Sequence, residues 1–383
     1  MDPELGGVLR RAVRRWAVAT ALLAGLMPGR AIAEPVAEAT AAVVFDGWRN
    51  LRGGLRRDAF TLVNAQLGAE LDAERAVGWR GGAMAVSAIY TLRPAAPEAV
   101  VGDLHGLDNK DARSGARLLE AWARQGFPGG YAKLGAIDLN TEFSVNRTGG
   151  LFINGAQGLG LETAQLGWGG PSVYPRPRAG FVGALEGRRT WKLGLFTGAP
   201  DPDPALRHGA PRLAILETSQ VTMSGGRVTA AVWRHSADFG SALTQVSRRT
   251  GLGGYLLAEH PLWRGGARQL QGFARIGFAD PKTQQVASDL NLGLVLTRPF
   301  GGPEGEALGL AVLSAANGGH FRRTGESPAR REMVVEATWR RPVGEAIALQ
   351  PDVQYVIRPG AVRGARDALV IGVRLEAVWR RGF

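Results

Sequence analysis

The sequence predicts an all-β protein: a transmembrane antiparallel β-barrel of sixteen strands, with short periplasmic turns and longer external loops. Three observations carry this. Many extended segments alternate strictly between apolar and polar side chains, the period of a strand whose faces meet different media. Glycine accounts for 55 of 383 residues and is scattered among aromatic and β-branched residues, which suits strands and tight turns better than long helices. Beyond the first 33 residues no apolar run approaches the roughly 18 residues that a spanning helix needs, so a membrane crossing falls to strands.

The alternation is clearest in "ALVIGVRLEAVWRRGF" (368–383). Leu369, Ile371, Val373, Leu375, Ala377, Trp379 and Phe383 share one side, and Gly372, Arg374, Glu376, Arg380 and Gly382 the other. It recurs in "REMVVEATWR" (331–340), "LQPDVQYVI" (349–357), "LNLGLVLT" (290–297) and "TWKLGLFT" (190–197). Fifteen segments can be placed, near 61–71, 82–91, 117–124, 131–138, 179–185, 190–196, 211–217, 227–234, 253–259, 269–278, 290–297, 306–313, 331–340, 346–358 and 368–383. A sixteenth is expected within 42–57, where the pattern is poor. Short connections at 186–190, 260–268 and 340–346 alternate with long ones at 92–116, 197–210, 235–252, 279–289 and 314–330, the asymmetry of outer-membrane barrels. A soluble sandwich also alternates, but its strands average about 5–6 residues against about 9–11 for a membrane strand. Segments 269–278, 331–340 and 346–358 are of the longer kind.

Residues 1–33 read as a signal peptide. Arg10, Arg11, Arg14 and Arg15 precede an apolar run from Trp16 to Met27, and Ala31 and Ala33 make the A-x-A cleavage pattern. Residues 34–57 are expected to hold a periplasmic segment and the ill-defined first strand, and 58–383 the barrel. The net charge is +12, and residues 1–33 contribute five arginines against Asp2 and Glu4. A basic exported protein points to anionic solutes or lipid head groups, including lipopolysaccharide, rather than nucleic acid. The chain has no cysteine, which excludes thiolate metal sites. The five histidines, His105, His208, His235, His260 and His320, form no H-E-x-x-H, and "GGPSVY" falls short of G-x-S-x-G. No catalytic residue, metal or cofactor is therefore expected.

Several stretches resemble the carbohydrate-selective porins of the OprB type. They are "AKLGAIDLNTEFSVNRTGGLFINGAQGLGLE" (132–162), "GPSVYP" (170–175), "LFTGAPDPDP" (195–204), "GGYLLAEHPLWR" (253–264), "LQPDVQYVIRPG" (349–360) and "ALVIGVRLEAVW" (368–379). The resemblance implies a sixteen-stranded channel that lets small sugars such as glucose diffuse across the outer membrane. A general or anion-preferring porin, or a barrel-borne enzyme or adhesin, are the alternatives. A terminal aromatic, Phe383, resembles the signal read by the barrel assembly machinery, and an oligomer is compatible with the family. Residues 139–178, far beyond ordinary loop length, are expected to fold into the bore and narrow it. Candidate constriction or sugar contacts are Asp138, Asn140, Glu142, Asn154, Gln157 and Trp168. Candidate water-facing wall residues are Lys133, Lys192, Arg275, Glu336, Arg340, Gln350, Asp352, Gln354, Arg374 and Glu376. On that reading, replacing Arg340 and Arg374 together by Ser lowers anion preference and leaves folding intact.

Overall fold

The computed structural model describes residues 35–166, 170–198, 212–236, 250–282, 284–324 and 328–383. Among them sixteen strands close into one antiparallel barrel in which each strand pairs with its sequence neighbours. They are β1 (Ala37–Arg52), β2 (Ala59–Asp72), β3 (Gly82–Leu92), β4 (Gly115–Phe127), β5 (Gly130–Ile137), β6 (Arg178–Leu185), β7 (Arg189–Thr197) and β8 (Arg212–Val221). The second half comprises β9 (Arg227–Ser236), β10 (Thr250–Gly265), β11 (Arg268–Ala279), β12 (Val286–Thr297), β13 (Ala307–Asn317), β14 (Arg331–Pro342), β15 (Ile347–Ile357) and β16 (Ala368–Gly382). β1 and β16 close the ring, with a ladder running from Glu38↔Gly382 to Arg52↔Leu369. Closure leaves no edge whose N–H and C=O groups would face hydrocarbon unpaired, and that is why a sheet can span lipid only as a closed ring.

The apolar side of each strand is the outer side. On β16, Ile371, Val373 and Leu375 are each 40–45% exposed, whereas Val370 and Arg374, on the opposite side, are buried. Leu290, Leu292 and Leu294 on β12 and Leu308 and Leu310 on β13 continue the exposed apolar surface around the barrel. In water such a surface would be costly at about 25 cal/mol per Å²; in lipid it costs nothing.

The strand expected within 42–57 runs instead over Ala37–Arg52. Its alternation is hard to see in the sequence because its inward side carries Val44 and Trp48 beside Asp46 and Asn50, all buried inside the barrel. The expected connection 260–268 shrinks to two residues, since β10 continues to Gly265 and β11 starts at Arg268. Pro261 cannot donate to a ladder, and the register shifts between Pro261 and Trp263 to accommodate it. Gly266 then makes the tight turn at φ +59°, a left-handed conformation suited to glycine. Parts of the long connections expected at 197–210 and 235–252 lie outside the described residues.

A solute pathway narrowed by two infolded segments

Two of the connections at the end opposite Gly382 enter the barrel: 93–114, between β3 and β4, and 138–177, between β5 and β6. A segment inside a barrel must find partners for its backbone groups away from bulk water. Among its described residues the second segment has only short helical turns, at Leu139–Glu142, Gly149–Leu151, Gly155–Gln157 and Leu161–Ala164, which satisfy few of them. Inward side chains of the strands do the rest.

Glu217 on β8 accepts the Ser144 N–H at 2.9 Å and also the Tyr255 hydroxyl. Glu259 on β10 accepts both the N–H and the hydroxyl of Thr148, at 2.8 and 3.1 Å. On β14, Glu336 accepts the N–H groups of Ile153 and Asn154 at 2.6 and 3.1 Å. Gln350 and Asn291 donate to the carbonyls of Leu151 and Ala156 at 2.7 and 2.9 Å, and Gln354 accepts the Asn154 amide at 3.0 Å. The strongest anchor is Arg275 on β11, bound to Glu162 at 2.7 and 3.1 Å and donating to the Ser144 hydroxyl at 3.1 Å. Two glycines make room for it. A Cβ on Gly160 would strike the Arg275 guanidinium, and one on Gly277 the Glu162 carboxylate. Between these polar anchors the segment buries Phe143 against Phe196 and Phe152 against Phe273, both edge to face at 6.0 Å.

The first segment is held the same way. Glu332 on β14 accepts the N–H groups of Leu104 and His105 at 2.9 and 3.1 Å, and binds His105 Nδ1 at 2.6 Å. Gln354 donates to the Leu107 carbonyl at 2.8 Å. Arg374 on β16 pairs with Asp46 at 2.8 Å and with Asp108 at 2.9 Å, and the Trp48 indole N–H donates to Asp108.

This arrangement revises the expected wet wall. Lys133, Arg275, Glu336, Gln350, Asp352, Gln354 and Arg374 all point into the barrel, but all are buried rather than water-facing. The infolded segments dock on them: Glu336, Gln350 and Gln354 bond backbone groups of those segments, while Lys133, Arg275 and Arg374 bond their side chains. Lys192, Arg340 and Glu376 keep partial contact with solvent, the last two as a pair at 2.9 Å. Among the candidate sugar contacts, Asp138 is buried and caps the helix at Leu139–Glu142 by accepting the Asn140 N–H at 2.8 Å. Asn140 is partly exposed and donates to the carbonyls of Phe143 and Gly158. Glu142 is buried and pairs with Lys133 and Lys192 at 2.9 and 3.2 Å. Asn154 is buried on the Gln354 amide, and Gln157 is buried with neither amide atom hydrogen-bonded among the described residues. Trp168 lies outside the described residues.

Sequence reasoning missed Glu217, Glu259, Glu332, Asp46 and Asp108, and it missed the entry of 93–114 into the barrel. A signal existed: each of the first four is a lone carboxylate at an inward position of a strand, expensive there without a dedicated partner. What remains partly open is the inward side of β4, where Arg117, Glu120, Trp122 and Arg124 are neither exposed nor buried. Arg124 lies 4.3 Å over the Tyr131 ring. Lys110, Asn140 and Thr141 on the infolded segments are likewise reachable.

Burial and the Glu120 charge lift Asp138 to about 6. Burial also pushes Glu142 up, but the Lys133 ammonium, the Tyr131 hydroxyl and Lys192 together hold it below the usual carboxylate range. In the 93–114 segment, burial and the charge of Glu332 raise Asp103 to about 7. Burial pulls His105 down, yet its bond to Glu332, with the charges of Glu332, Asp289 and Asp103, leaves it above its ordinary value. A group whose value is raised on folding stabilises the fold at low pH and loses that contribution as pH climbs through the raised value. Both groups thus act in the same direction, and this anchor loosens as pH rises toward neutrality. Hydrogen exchange at the Leu104 and His105 amides, corrected for intrinsic rate, should lose protection as pH rises from about 4 to about 7. Equal protection at both would contradict it.

A closed ring of sixteen strands, apolar outside and narrowed inside by polar-anchored segments, defines a porin, a transport channel of the outer membrane. The chain belongs to the carbohydrate-selective porin, OprB family, matching it over residues 56–204 and 212–378, and is a sugar-selective porin. No curated protein matches the chain significantly. The barrel is similar to the high-pH structure of Pseudomonas putida OprB, at 18% identity and TM-score 0.78, over 90% of this chain and 94% of that one. Its likeness to the low-pH structure of the same protein is lower, with 14% identity and TM-score 0.56 over 90% and 92%. A loop-deletion mutant of OmpT from Vibrio cholerae is similar at 11% identity and TM-score 0.54, over 91% of this chain and all of that one.

Proposed function

We propose that small sugars diffuse passively between the β4 wall and the accessible face of the infolded segments, past Arg117, Glu120, Arg124, Lys110, Asn140 and Thr141. One observation carries this reading. The infolded segments are anchored mainly to β8, β10–β12 and β14–β16, with further bonds from Glu120 on β4, Lys133 on β5 and Lys192 on β7, while Arg117, Glu120 and Arg124 on the inward side of β4 stay partly accessible. Diffusion needs no reactive group, only a wet bore and side chains that replace part of a solute's hydration, and we assign the chain no catalytic residue. Guanidinium and carboxylate groups suit sugar hydroxyls. With two arginines and a lysine against one carboxylate, the passage favours anions or acidic sugars, the second reading that the geometry supports. Residues 1–33 serve as a cleaved signal peptide in this reading, and the exposed Phe383 engages the assembly machinery.

Planar-bilayer recording tests it. Replacing Arg117 and Arg124 by Ser should shift the reversal potential in a salt gradient toward cation preference and weaken current block by acidic sugars. An unchanged reversal potential removes these residues from the pathway, and absence of any conductance removes the channel reading.

A further inference from the structure

The rim at the end opposite Gly382 carries a basic pocket that the solute pathway does not use. The connection 358–367 is tied to residues 328–330 by the bridge between Pro328 and Val362 and by the Ala329 N–H donating to the Ala361 carbonyl. Between them lies a cavity of about 390 Å³ lined by Arg330, Arg358, Arg363 and Asp367. The carboxylate is already engaged: Asp367 accepts the Arg358 N–H at 3.0 Å and the Tyr355 hydroxyl at 3.2 Å. The three guanidinium groups enter no ion pair among the described residues, and only Arg363 donates a hydrogen bond there, through Nε to the Pro328 carbonyl at 3.1 Å. Three exposed cations around one spoken-for anion form an unmatched site for a multivalent anion.

Tyr355 decides which side of the wall the site serves. It pairs with Val335 and Leu369 on the outward face, so its ring belongs to the lipid-facing surface and its hydroxyl marks the interface. Arg52 donates to that hydroxyl at 3.3 Å, which adds a further cation at the same level. Directly below, Val353 and Ile371 stand side by side, exposed to the hydrocarbon. We propose that this pocket binds the phosphoryl group of an outer-leaflet lipid whose acyl chains lie along the outer face of β14–β16. The inference shares no residue with the sugar pathway and stands apart from it.

The test uses the full mature chain, purified in detergent and incubated with bisphosphorylated lipid A or with the same lipid after dephosphorylation. Retained lipid is read by native mass spectrometry. The wild type should retain the phosphorylated form about tenfold better. The variant Arg330→Ser/Arg358→Ser/Arg363→Ser should lose that preference while keeping heat-modifiable migration and unchanged rates of sugar-driven liposome swelling. Arg330→Ser alone, whose side chain makes no hydrogen bond among the described residues, should move the same way if the triple variant assembles poorly. Equal retention of both lipids, or a preference that survives the substitutions, overturns the proposal. Displacement of the lipid by millimolar inorganic phosphate would assign the pocket to a soluble phosphate and overturn the lipid assignment.

Discussion

Replacing Arg275 by Met is expected to release the constricting segment and to destabilise the barrel by about 3–5 kcal/mol, the usual cost of breaking a buried ion pair from one side. Arg275 is 1% exposed and carries the only cation that reaches both Glu162 and Asp289 among the described residues. Without it two carboxylates are left in a site that bulk water does not enter, and the Ser144 hydroxyl loses its donor. The cheapest relief is for Glu162 to swing out with the rest of 138–177. Single-channel conductance should therefore rise, and the protein should unfold at lower temperature in a gel-shift assay. Pairing Arg275→Met with Glu162→Gln should restore part of both, because one stranded charge is then gone. Wild-type conductance and wild-type thermal behaviour in the single variant would show that the ion pair does not hold the constriction.

The second large effect separates two arginines that look equivalent in the sequence. Arg374→Ser leaves Asp46 and Asp108 facing each other without their guanidinium partner, in a buried site that also holds the Trp48 indole. A loss of about 3–5 kcal/mol is expected, together with freeing of the 93–114 segment. Arg340→Ser breaks a pair whose side chains are 32% and 29% exposed, so it should cost less than about 1 kcal/mol and act on ion selectivity alone. We therefore keep the expectation that folding is spared for Arg340→Ser and expect the opposite for Arg374→Ser. Thermal unfolding of the two single variants checks this, and equal midpoints would refute the distinction.

Much of the molecule was legible in the sequence. The outward side of a strand such as 368–383 has to match hydrocarbon along its whole length, so the period-two pattern is regular and long, and it reveals strand, orientation and closure together. Glu336, Gln350, Gln354 and Arg374 were likewise readable as inward residues, because register alone fixes the side on which they stand. What they touch was not readable. Glu336 reaches Ile153 across 183 positions of chain, and Arg374 reaches Asp46 across 328. No local spacing encodes such contacts.

The sequence by itself determined a lipid-facing barrel of sixteen strands, since each strand's two media impose their difference residue by residue. Only the tertiary structure decided that inward charges such as Arg275, Glu336 and Arg374 are anchors rather than a wet lining, and that a second segment, 93–114, shares the bore. The physical reason is that an infolded backbone carries its need for partners at every peptide, whatever its side chains. Which inward side chains answer that need depends on where the segment comes to rest, and that is settled only when the ring has closed around it.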